Sequence, residues 1–142
     1  MKHANPASAY PTGRLLFAIG ASAATLIVLW TLIRLGGELS PEVYRAGVLG
    51  LASATLAHIL GAVAGGFFID AHGCSTAYLA STVVRFLLTP LLALSLYFAL
   101  PVQPVPLLIG ATVGYLVILV ADMAVMLKSA QRGERDVGAA AN

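Results

Sequence analysis

LLFAIGASAATLIVLWTLI, residues Leu15–Ile33, runs for nineteen residues without a charge. The hydrocarbon core of a bilayer is about 30 Å thick and an α-helix rises about 1.5 Å per residue, so about 20 mostly apolar residues span it. Three further apolar runs follow, each with a single charged residue, Val43–Ile69, Ala77–Leu100 and Val105–Leu127, and the four take up most of the 142 residues. The pattern predicts an all-α polytopic membrane protein, an antiparallel four-helix transmembrane bundle whose main surroundings are the lipid bilayer.

Composition agrees with this reading. The chain is 59% hydrophobic and only 10% charged, with a mean hydropathy of +0.91. A soluble domain carries about a quarter charged residues, so too few polar groups remain here to cover a water-facing surface. The net charge of +2 is too small to suggest nucleic-acid binding, which needs a clustered basic face. Cys74 is the only cysteine and cannot form an internal disulfide. Lys2 and Arg14 precede the first run as in a signal peptide, but that run exceeds the about 7–15 residues of a signal core. No small-residue cleavage site follows Ile33-Arg34. A retained first helix is expected.

Residues 1–13 hold Asn5, Pro6, Pro11 and Gly13 and read as an irregular tail. Gly36-Gly37 ends the first helix. Ser40-Pro41-Glu42 has the form of an N-cap with proline in the first turn of the second. Gly73 marks the expected turn into the third helix, with Ser75 or Thr76 as its cap. Pro90 should bend that helix. Pro101, Pro104 and Pro106 stiffen the link to the fourth, and residues 129–142 read as a short polar tail. Short connections make successive helices antiparallel neighbours. The flanks hold Lys2, Arg14, Lys128, Arg132 and Arg135 on one side, against Arg34 and Arg45 on the other. That bias places both termini in the cytoplasm. Trp30, Tyr44 and Tyr97 fall near the outer interface and Tyr10 and Tyr78 near the inner one, as anchors.

Small residues form a stripe on helix 2: Gly47, Gly50, Ala54, Ala57, Gly61 and Gly65. Gly110 and Gly114 make a second GxxxG pair in helix 4. In lipid such residues let backbones approach closely, either within the bundle or against a partner's helices. His58 shares the helix 2 stripe and is expected to make an interhelical hydrogen bond. Arg85, early in helix 3, and Asp122, late in helix 4, should lie at similar depth. A charge at the bilayer centre costs at least about 2.5–3.5 kcal/mol, so an Arg85–Asp122 ion pair or a polar site for an ion is expected. Asp70, His72 and Cys74 match no metal-ligand spacing and read as a solvated turn, as do Glu38 and Glu42 outside. With no Walker loop, GxSxG, HExxH or paired-cysteine motif, neither an enzyme nor a metal or cofactor is expected.

Gly61-Ala-Val-Ala-Gly65-Gly66, Arg85 within Ala80-Ser-Thr-Val-Val-Arg85-Phe86-Leu-Leu, and the aliphatic Leu107–Leu127 followed by a polar tail resemble the ATP synthase protein I family. Members often carry Lys where Arg85 stands. The resemblance covers residues 15–130 in outline. It implies a membrane accessory protein that helps the c-ring of an F-type ATP synthase assemble. The charges within the helices keep a second reading open, a small transporter or ion-conducting subunit that uses Arg85 and Asp122, as a homo-oligomer because four helices enclose little space. A reporter domain fused after Asn142 is expected to behave as cytoplasmic, and a periplasmic or extracellular signal would reverse the orientation.

Overall fold

Backbone polar groups find no partner in hydrocarbon, so apolar spanning segments satisfy them internally as helix. The computed structural model describes residues 12–37 and 39–140, and of these the side chains outside 68–75, 130 and 132–140. Helix covers α1 (Thr12–Leu35), α2 (Pro41–Ala99) and α3 (Pro104–Ala140). Four stretches are long and apolar enough to cross a membrane: Thr12–Leu35, Pro41–Phe67, Thr76–Ala99 and Pro104–Ser129, here spans 1 to 4. The chain is therefore a multi-pass membrane protein, and α2 carries two of its spans.

Helical backbone continues through the position where Gly73 suggested a break. The chain still reverses there. In a straight helix, residues 61 and 81 would lie about 30 Å apart, yet Ser81 Oγ donates to the Gly61 carbonyl at 2.6 Å. Spans 2 and 3 thus lie side by side. Elsewhere the ends follow local chemistry. Gly37 takes φ +83°, a conformation glycine adopts without a side-chain clash, and closes α1. Ser40 accepts from Val43 N–H at 3.3 Å and Pro41 opens α2. α3 runs on to Ala140, past the apolar limit at Leu127, because Ala, Gln, Glu and Arg are strong helix formers in water. Residues 1–11 of the expected N-terminal tail, with Tyr10 and Lys2, lie outside the described residues, as does Glu38.

Burial identifies the hub. In span 2, 56% of the most apolar window is buried, against 11% to 33% in the other three. Its buried positions include Ala46, Leu51, Ala54, Ala57 and Ala62. They recur with helical period, and their small size brings three other helices close. Spans 1, 3 and 4 each present a narrower stripe: Leu15, Ile19 and Ala23; Ala77, Ser81, Arg85, Thr89 and Ala93; Leu107, Ala111, Ile118 and Asp122. The opposite faces carry Phe17, Phe67, Phe98 and Val120, each well over half exposed. In lipid these apolar faces need no cover.

The glycines show where backbones meet. A Cβ on Gly110 would collide with the Gly47 carbonyl, and one on Gly50 with the Leu107 carbonyl. A Cβ on Gly114 would sit 2.7 Å from Leu51 Cδ1. One on Gly47 would also strike the Trp30 indole, whose Nε1–H donates to Tyr44 O at 3.3 Å. Tyr44 is held further by Thr31, at 3.0 Å between hydroxyls, and by the Arg34 guanidinium 4.7 Å over its ring. Gln103 donates to Glu42 at 3.4 Å, so Glu42 ties the start of α2 to the start of α3 beyond its expected role of a solvated acid. These contacts place the end of span 1 and the starts of spans 2 and 4 at one end of the bundle.

Gly50→Leu and Gly110→Leu are each expected to destabilise the bundle by at least about 2 kcal/mol, since backbone atoms cannot yield as a flexible side chain can. Gly20→Ala, which meets no atom within 4 Å, should leave stability unchanged or slightly raised. Unfolding by dodecyl sulfate in mixed micelles measures both.

Candidate functional site

Five residues of span 3 recur every fourth position on its buried face, and the middle three are polar: Ser81, Arg85 and Thr89. Each has a distinct partner. Ser81 bonds across to Gly61, and Thr89 Oγ1 donates back to the Arg85 carbonyl at 2.9 Å. Arg85 is wholly buried and does not reach for the headgroups. Its Nη1 donates to Asp122 Oδ2, and Asp122 is buried as fully. The structure brings these two charges together, one from span 3 and one from span 4.

Gly61 makes room for this pair. A Cβ there would overlap the Arg85 Cγ and approach its Nε at 2.7 Å. The missing side chain is thus filled by the stem of an arginine, which must pass span 2 to reach span 4. The small-residue stripe of span 2 divides its work. Gly47 and Gly50 meet the backbone of span 4, while Gly61 seats an ionised side chain from span 3. Gly65 is buried too. Of the two uses open from sequence, packing within the bundle accounts for the stripe, whose residues are buried against the protein's own helices.

His58 lies on the same face and is wholly buried. Its Nδ1 is 2.9 Å from the Ala54 carbonyl. A carbonyl only accepts, so Nδ1 carries the proton. The bond lies within the helix and replaces the interhelical bond expected from sequence, because the carbonyl one turn back is within reach of the ring. Across the helices the imidazole instead meets the Tyr115 ring, with centroids 5.1 Å apart and planes at 58°. Tyr115 and Ser81 went unread in the sequence. The every-fourth-residue alignment of Ala77, Ser81, Arg85, Thr89 and Ala93 was the signal that could have found Ser81.

The centre is incompletely satisfied by protein. His58 Nε2, Arg85 Nε and Nη2, and Asp122 Oδ1 are buried without a hydrogen-bond partner among the described residues. Those atoms combine donors with at least one strong acceptor, which is chemistry suited to holding water or a small polar species. The side chains of Asp70, His72 and Cys74 lie outside the described residues. Among the described residues, cavities lie at the periphery. One of about 350 Å³ lies between Arg14 and Lys128, one of about 140 Å³ beside Trp30 and Gly114, and one of about 440 Å³ beside Pro90 and Tyr97. The chain matches no protein-family model, no curated protein and no solved structure.

Removing one partner of a buried ion pair leaves the other charge uncompensated, at about 3–5 kcal/mol, whereas replacing both with apolar groups is often neutral. Arg85→Met and Asp122→Leu are each expected to destabilise the bundle by that amount. The double variant should recover most of the loss in the same mixed-micelle unfolding measurement. Additive losses would show that the two side chains do not act as a pair.

Proposed function

We propose that this chain is a non-enzymatic accessory protein of an energy-coupling inner membrane, with both termini cytoplasmic. In this reading it aids assembly of the F-type ATP synthase rotor ring through contacts between membrane helices. The observation that carries the accessory role is that the interior is occupied by the protein's own contacts. Gly47, Gly50, Gly110 and Gly114 are closed by neighbouring helices and Gly61 by Arg85. What remains for interaction is the outward apolar surface. The partner comes from the resemblance to the ATP synthase protein I family, carried by the Gly61–Gly66 segment, Arg85 and the aliphatic last span.

Span 1 is the least packed of the four, and it turns Gly20, Ala21 and Ala24 outward. Small outward residues permit close approach of a second helix, and c-subunits are themselves glycine-rich helical hairpins. This reading therefore assigns the rotor subunit to the face of span 1.

The unpartnered polar atoms of His58, Arg85 and Asp122 favour a second reading, an ion-conducting unit built around the ion pair. One set of measurements separates the two. On the accessory reading, the full chain co-purifies with c-subunits, and Gly20→Leu lowers recovery of intact rotor rings at least about threefold while leaving the bundle folded, since a side chain there meets open space. On the conducting reading, liposomes holding the purified chain pass ions, and Asp122→Asn abolishes the flux. Flux without any association with c-subunits would transfer the assignment to the second reading.

A further inference from the structure

At the end of the bundle where α1 begins, a cleft of about 350 Å³ lies between spans 1 and 4. Its lining has two kinds of surface. Arg14 and Lys128 are cationic, while Phe17, Ala18 and Val125 are apolar. None of the lining residues is acidic. Both cations are exposed. Arg14 lies in the first turn of span 1 and Lys128 next to the last residue of span 4, which puts both at headgroup depth. Gly13 leaves the mouth open, with no atom within 4 Å of where its Cβ would be.

We propose that this cleft binds the headgroup phosphate of an anionic phospholipid. The guanidinium of Arg14 and the ammonium of Lys128 approach the phosphodiester from two helices. The first-turn N–H groups of α1 add the positive end of its dipole on the same side. Below the phosphate, an acyl chain lies along Phe17, which is 79% exposed, and Val125. The apolar floor is what selects a lipid over free phosphate. A soluble anion would leave Phe17 and Val125 uncovered, whereas a phospholipid satisfies both halves of the cleft at once. Basic pockets between membrane helices at this depth are suited to such headgroups.

The contrast with the opposite end of the bundle sharpens the assignment. There Arg34 is engaged over the Tyr44 ring. Arg14 and Lys128 are engaged by no other side chain among the described residues. The lipid would also join the start of span 1 to the end of span 4, the two segments furthest apart in the chain.

Native mass spectrometry of the full chain, released from neutral detergent with equal phosphatidylglycerol and phosphatidylcholine, tests this. The wild type should retain phosphatidylglycerol in preference. Arg14→Gln with Lys128→Gln should lower that preference about thirtyfold, as expected for two basic groups at a membrane surface. Arg45→Gln, at the other end, should leave it unchanged, and millimolar inorganic phosphate should not displace the lipid. Equal retention of both lipids, an undiminished preference in the double variant, or an equal loss in Arg45→Gln would overturn the proposal. Displacement by inorganic phosphate would overturn it as well, because free phosphate would then be the ligand.

Discussion

Backbone contact between spans 2 and 4 is the constraint from which the other contacts follow. In lipid, apolar side chains gain nothing from leaving the solvent, since the solvent is itself apolar. Association rests on dispersion between closely packed atoms, each contact weak and the sum large. Gly50 and Gly110 permit that packing by removing the side chains that would hold the two helices apart. Once they meet, the rest of the α3 stripe is aligned. Tyr115 arrives against His58, and Asp122 arrives at the depth of Arg85.

The ion pair is a different kind of contact. Desolvating two charges opposes most of what their attraction contributes, so a buried pair is weak evidence for stability. Its geometry nevertheless constrains where spans 3 and 4 can sit, because either charge left alone in hydrocarbon is costly. Gly61 links this constraint to the first. The same span that meets span 4 through glycines near one end makes space near the other for the arginine that also reaches span 4. Ser81, bonded to the Gly61 carbonyl, secures the third helix at that level. A polar layer thus lies across an otherwise aliphatic bundle.

The functional reading turns on what this layer leaves outside. With the glycine stripe of span 2 covered, the exposed chemistry lies in the outward face of span 1 and in the basic cleft between spans 1 and 4. Both involve span 1, the helix with the smallest buried stripe. Span 1 gives Leu15 and Ile19 to the shared core and leaves most of its surface outward, open to a partner or a lipid.

Sequence alone determined the class of protein and the number of crossings, because hydrophobic length is set by the thickness of the bilayer and can be read locally. It also carried the caps at Ser40-Pro41 and Gly37, whose chemistry involves only neighbouring residues. The depth match of Arg85 and Asp122 could be counted along two antiparallel helices. Tertiary structure decided the rest. Whether the stripe of span 2 faces a sister helix or a partner depends on which surfaces meet, and periodicity is the same in either case. The bond of His58 to its own helix, the place of Tyr115 beside it and the seating of Arg85 on Gly61 depend on helix rotation and separation. Those are fixed by atoms far apart in the chain, so no local reading of residues could supply them.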